Sequence, residues 1–135
     1  MKAVDKALYA ALTGDGTLTG KLSSAAAVYR RVAPPGAVCP YVMFAKQTGS
    51  DDYTFSQRAK SSMPYLVKAV DKSLSADNAN DIADRIDVLL TDVALTVTGK
   101  TLMYLRRETH VEYDEHAAGG VVYQHVGGIF RIEVG

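Results

Sequence analysis

The residues best equipped for chemistry crowd into one stretch near the C-terminus: Glu108, His110, Glu112, Asp114, Glu115 and His116, with His125 a few positions on. Carboxylates beside imidazoles are the parts of general acid–base sites and of metal centres. The spacing that would make either specific is missing. The three histidines form no His-x-x-x-His pair, and Cys39, the sole cysteine, is remote from them in sequence. On paired strands His110 and His125 would meet, with the carboxylates close by. An exposed sheet face carrying ordinary polar residues explains the same pattern and is the preferred reading. Cys39 sits among Ala37, Val38, Pro40 and Tyr41, which supply neither a base nor positive charge, so it reads as a small buried hydrophobe. Gly119-Gly120 and Gly127-Gly128 lack the strand–loop–helix setting and the Lys-Ser/Thr of a phosphate loop, and no Gly-x-Ser-x-Gly elbow is present. No catalytic, metal-binding or cofactor-binding residue is assigned, and the chain is expected not to be an enzyme.

Recognition chemistry is better represented. Arg30-Arg31 and Arg106-Arg107 are short basic pairs suited to a phosphate or to the acidic rim of a partner, although solvated strand ends are the preferred reading. Eight tyrosines are spread along the chain, and tyrosine suits interfaces because it buries area while keeping a polar tip. Tyr53 and Phe55, with Arg58 just beyond, lie in a polar stretch that offers no obvious core. The candidate interface residues are therefore Tyr53, Phe55, Arg58, Arg106, Arg107, His110 and Tyr113.

The elements that would position them follow from periodicity. Val4, Ala7, Leu8, Ala11 and Leu12 recur at helical spacing over 2–13, and Gly14 stands where such a helix stops. Leu18 and Leu22 tether a short helical turn. An extended stretch from Val28 to Val32 is halted by Pro34-Pro35-Gly36, and Tyr41–Gln47 is a β-rich run. Residues 48–62 read as a long polar loop that Tyr53–Phe55 briefly interrupts. In 63–71, Met63, Tyr65, Val67 and Ala69 share one face and Lys68 takes the other. Residues 76–92 give the clearest helix, with Ile82, Ile86, Leu89, Leu90 and Val93 in one stripe, Ser75 or Asp77 as its cap, and Asp81–Arg85 as a surface pair. Thr101–Glu108 and Val121–Val134 supply further strands, with Val111–Tyr113 a continuation, Asp114–Gly120 a loop, and Gly127-Gly128 a bulge or close backbone approach. The expected fold is α+β: an antiparallel sheet of four to five strands with two helices packed on one face, in the order α-β-β-β-α-β-β, as a single domain over 1–135.

Composition narrows the class further. A chain of 135 residues can bury a real core without disulfides or structural metal. Lys+Arg and Asp+Glu both number 15, which leaves no global field to hold the chain on nucleic acid or on an anionic membrane. The apolar runs are far short of a membrane span, and Lys2, Asp5 and Lys6 break any leader-like stretch. A soluble protein folded in a cytoplasm is expected.

The order of features resembles the tail-terminator or tail-completion (minor tail protein) family of long-tailed bacteriophages. Lys6-Ala7-Leu8-Tyr9-Ala10-Ala11-Leu12 with Gly14-Asp15 looks like its opening helix. Val28-Tyr29-Arg30, Ala33-Pro34-Pro35-Gly36 and Pro40-Tyr41-Val42 resemble its first strand, proline break and second strand. The Ala76–Asp92 helix falls where the family places its second, and His125, Gly127-Gly128 and Phe130-Arg131-Ile132-Glu133-Val134 resemble its closing strand. The resemblance implies a structural virion protein assembled in the host cytoplasm, without catalytic residues or cofactors. Such a protein forms a homo-oligomeric ring, usually a hexamer, that caps the tail tube and presents a surface for joining the head. Its partners would be copies of itself, the major tail tube protein and head–tail connector proteins, with DNA only passing through the lumen and no membrane involved. The seven candidates above would then form the oligomer or tube interface. Head–tail joining (neck) proteins are of similar size and stand as the alternative, with a small monomeric binding module behind them.

Overall fold

The computed structural model describes residues 2–55 and 57–135. Helix α1 (Lys2–Thr13) buries Val4, Ala7, Leu8 and Leu12 along one side, as their spacing predicts. Gly14 ends it: its amide donates to the Ala10 carbonyl at 2.9 Å, and a Cβ there would stand 2.8 Å from that same oxygen. Asp15 then starts the one-turn helix α2 (Gly16–Thr19) by accepting the Leu18 amide at 2.8 Å, which satisfies one of the free donors of the first turn. Leu18 is fully buried and anchors that turn.

Strand β1 (Val28–Arg30) runs parallel to β2 (Tyr41–Lys46), a departure from the antiparallel pairing expected throughout. Antiparallel neighbours can be joined by a tight turn, but a parallel pair needs chain enough to travel back. Residues 31–40, with Pro34-Pro35-Gly36 among them, are that return path. β3 (Ser50–Tyr53) folds onto the first part of β4 (Arg58–Lys72), so 48–62 is a hairpin and not a long loop. All four β3 residues are exposed, which is why no alternation marks the strand. Its ladder is reinforced by Ser61, which donates to Asp51 at 2.6 Å, and by the Asp51–Arg58 and Asp52–Lys60 pairs at 3.7 Å.

β5 (Leu102–His116) and β6 (Val122–Val134) form a second, longer hairpin, and β5 reaches well into the loop expected at 114–120. The described residues thus make a six-stranded sheet, not one of four or five, in the order β1-β2-β4-β6-β5 with β3 off that path beside β4. Ser61 and Ser62 pair with both β3 and β6, which puts those two strands on opposite flanks of β4. The fold is α+β and mostly antiparallel, as expected.

Helix α3 (Asp77–Leu89) turns Ala79, Ile82, Ala83 and Ile86 inward, and they meet Val4, Leu8 and Leu12 of α1 in one core with Tyr65, Val67, Phe130 and Ile132 of the sheet. The helices therefore share one face. Neither Ser75 nor Asp77 is the cap: Ala76 takes that position without a side-chain bond, and Ser75 accepts the Asp77 amide at 3.2 Å from just outside the helix. The helix stops short of residue 92: Asp92 has φ 55°, and Val93, expected in the stripe, is exposed. Arg85 does not pair with Asp81. It reaches Asp15 instead, donating from two nitrogens at 2.8 Å each, because the planar guanidinium matches a carboxylate in a fork that a single helical turn cannot offer.

Gly127-Gly128 resolves in favour of a close approach. Pairing with β4 runs unbroken through both glycines. A Cβ on Gly127 would lie 2.2 Å from the Val67 carbonyl oxygen and 2.5 Å from Lys68 Cα, and one on Gly128 would lie 2.8 Å from the Thr109 oxygen. The irregularity belongs to β5, whose register shifts between Arg107 and Thr109.

Two variants test this packing. Gly127→Ala should destabilise the protein by about 2–3 kcal/mol, since the added methyl meets backbone that cannot step aside; an unchanged urea midpoint would contradict the approach described. Ile86→Asp should leave the chain unfolded or aggregated, at a cost of several kcal/mol for a buried unpaired charge, whereas exposed Asp84→Ala should change stability by less than about 0.5 kcal/mol. Equal melting temperatures for those two variants would mean that the faces of α3 are misassigned.

Candidate assembly surfaces

The sheet sorts the seven candidate residues into two places. Arg106, Arg107, His110 and Tyr113 all lie on β5, the last strand of the sheet, while Tyr53, Phe55 and Arg58 belong to the β3–β4 hairpin. An edge strand presents unpaired backbone donors and acceptors to any further strand. Part of the β5 edge is occupied, because the Asp92 amide donates to the Leu105 carbonyl at 3.0 Å. Arg106 donates to Asp92 at 2.7 Å, and Arg107 stands 3.4 Å from Asp87 of α3. These arginines therefore tie the start of β5 to the end of α3 and are not bare charges. His110 is exposed and lies opposite Gly128, so it does not meet His125.

Tyr113 is the residue that meets His125. The two rings stack with centroids 4.5 Å apart and planes 6° from parallel. Lys68 donates to the Tyr113 hydroxyl at 2.6 Å, and the His125 Nε2–H donates to Glu115 at 2.8 Å. Lys68 and His125 are each only 7% exposed, although they sit on the sheet face away from the helices. Tyr113 covers them both. Alternation alone places Lys68 and His125 on that face, but a register linking three strands is needed to bring Tyr113 over them, and residue types do not carry it. The His125 Nδ1 is buried with no hydrogen-bond partner. Burial pushes the pKa of this imidazole down and the Lys68 charge acts in the same direction, against an upward pull from Glu115. The ring is accordingly neutral near pH 7.

At the hairpin, Tyr53 faces Arg58 across the last pair before the turn. The turn is closed by Thr54, whose amide and hydroxyl both donate to the Gln57 carbonyl, at 2.7 and 3.0 Å. Phe55 stands fully in solvent and Tyr53 is 70% exposed. Two largely uncovered aromatic side chains thus stand close together at the tip of this hairpin. A wholly exposed phenylalanine is a mark of a binding surface, since anchor side chains of this kind carry much of an interface's energy.

Cys39 borders a cleft of about 360 Å³ with Asp71, Lys72 and Tyr123. It is half-buried, and burial, aided by Asp71, pushes its thiol up, which disfavours the nucleophilic thiolate. No group of three or more His, Cys, Asp or Glu residues suited to a metal ion occurs among the described residues. None of the described helices is long and apolar enough to cross a membrane.

No family model and no curated protein matches the sequence. Among solved structures, a chain from the virion of a native gene transfer agent particle is similar over 97% of this chain and 93% of its own, with a TM-score of 0.76 at 17% identity. At that identity the likeness is one of fold.

The lowered His125 pKa has a measurable consequence. A histidine harder to protonate folded than unfolded contributes stability that is complete above its unfolded pKa of about 6.5 and is lost as pH falls through the folded value. Between about pH 7.5 and 5 the wild type should therefore lose stability faster than His125→Gln, by no more than about 1.4 kcal/mol per pH unit for one proton. Parallel pH profiles of the urea midpoint for the two proteins would show that the ring titrates as if in water.

Proposed function

We propose that this protein is a structural component of a phage-like virion and acts as a tail terminator: a homo-oligomeric ring, with six copies the expected number, that caps the tail tube and offers its other side to the head. The observation that carries the reading is the fold shared along nearly the whole chain with a component of a gene transfer agent virion. The order of sequence features resembling tail-completion proteins supports it independently. So does the placement of the interface candidates, which occupy a sheet edge and a projecting hairpin tip and do not line a common pocket. Such a chain works by geometry and not by catalysis. It ends polymerisation by covering the last ring of the tube protein, meets a head–tail connector on the opposite side, and leaves a lumen through which DNA passes. It would be found at the tail end of the particle after assembly in the host cytoplasm.

In this reading Tyr53, Phe55 and Arg58 at the hairpin tip engage the tube or a neighbouring copy. Replacing all three with alanine should leave the melting temperature within a few degrees of wild type, because none of them is buried. It should nonetheless yield tubes of uncontrolled length or tails that fail to join heads. Mass measurement in solution and negative-stain imaging, with and without tail tubes, test the ring directly. Wild-type chains that stay monomeric in both conditions would refute it. Rings that bind connectors but never tubes would move the protein to the neck of the particle.

A further inference from the structure

The two outer strands of the sheet carry opposite charge. From Glu108 to Val121, most of it the second half of β5, the sequence holds Glu108, Glu112, Asp114 and Glu115 and not one lysine or arginine. From Gly16 to Ser50, the stretch that contains β1, it holds Lys21, Arg30, Arg31 and Lys46 and not one acid. β1 and β5 are the two ends of the strand order, so Arg30 and the adjoining Arg31 lie on the opposite side of the sheet from Glu112 and Asp114.

Neither edge is fully neutralised from within. Glu108 accepts from Arg131 and Glu115 from His125, while among the described residues Glu112 meets only the Asn80 amide at 3.3 Å and Asp114 only His116 at 3.4 Å. On the other edge Arg30 is held by Asp5 at 3.1 Å, and Arg31 beside it is exposed, in the left-handed region at φ 70°. Val32, next in line, is 77% exposed. Among the described residues, each edge thus carries charge that is not fully matched within its own chain.

We infer that the β5 edge of one copy receives the β1 edge of the next, so that the sheet continues from copy to copy with Glu112 and Asp114 meeting Arg31. This rests on the ring reading above and names the surfaces that would close the ring. The occupant is a second copy of this chain because that copy brings the missing charge of the right sign along with a free strand edge. Strand addition supplies main-chain hydrogen bonds, and the charges set which edges meet. The contact is heterologous, as a ring requires.

A charge swap tests it. Arg31→Glu alone, and Glu112→Lys with Asp114→Lys alone, should each raise the protein concentration needed for half-assembly by about tenfold or more, the scale expected when like charges are forced together. The chain carrying all three changes should regain wild-type assembly. Unchanged melting temperatures would show that the folds survive. As a second measurement, a Cys39→Ser chain bearing Arg31→Cys and Glu112→Cys should give a ladder of cross-linked multimers on mild oxidation, and either cysteine alone should give none beyond a dimer. If the reversals leave assembly unchanged, or the combined variant stays dissociated while wild type assembles, the edge assignment is overturned and the ring reading stands. If wild type itself fails to assemble even with tail tubes present, the ring reading falls and this inference with it.

Discussion

Gly127 lets β6 come against β4 at a point where any side chain would collide with the Val67 carbonyl and the Lys68 backbone. That contact fixes the register of the central pair over residues 61–72 and 123–134, and the rest of the molecule is built outward from it. On one face it sets Tyr65 and Val67 beside Phe130 and Ile132, the floor on which α1 and α3 lie. On the other it sets Lys68 beside the strand that carries His125, and so leaves Tyr113 of β5 to cover both. A slip of β6 by one residue against β4 would turn its inward set outward, burying His125 under the helices and exposing Phe130 and Ile132.

The helices are held by a second, smaller constraint. Asp15 caps α2 through the Leu18 amide and at the same time grips Arg85 of α3 with both oxygens, and the arginine holds its carboxyl below the usual carboxylate range. Asp5 plays a similar part at the other end of α1, accepting from Tyr65 of β4 at 2.6 Å and from Arg30 of β1. Two carboxylates therefore join the N-terminal segment to a helix, a central strand and an edge strand. Each is partly shielded by the groups it joins, which makes these bonds stronger than free surface pairs.

What the sequence disclosed depended on whether burial was written into the residue pattern. Both long helices, β2, the central run of β4 and the closing strand were legible because one side of each is apolar and meets the core. β3 was not, since all its residues are exposed and its pairing rests on backbone and on Asp51–Ser61 contacts. The far half of β5 was hidden for the same reason, because an edge strand over solvent needs no alternation. The candidate surfaces followed suit. Exposed Tyr53 and Phe55 stood out by type, and Arg106 and Arg107 by adjacency. The Lys68–Tyr113–His125 cluster required the register of three strands, and Arg85–Asp15 required the packing of two helices. The parallel β1–β2 pair shows the limit most plainly: Pro34-Pro35-Gly36 announces a break, but not which way the chain runs when it resumes.

Opposite charge on the two edges also bears on what the molecule avoids. A sheet with open edges risks pairing each edge with its own kind, and two β5 strands side by side would give a closed dimer that could go no further. The acids of β5 oppose that pairing, and the arginines around β1 oppose its counterpart, because like charges brought opposite one another are destabilising. What the charges leave favourable is the unlike contact, in which each copy uses both its edges and every junction is the same. Such a chain of copies closes or runs on according to the angle between successive members, and sheets twist by roughly 20–25° per strand. Five strands of each copy lie on the path from β1 to β5, so their accumulated twist sets the angle at which the next copy is met. The hairpin bearing Tyr53 and Phe55 lies off the path from β1 to β5. In such a ring its aromatic tips would remain free, one per copy, for whatever stands at the end of the tube.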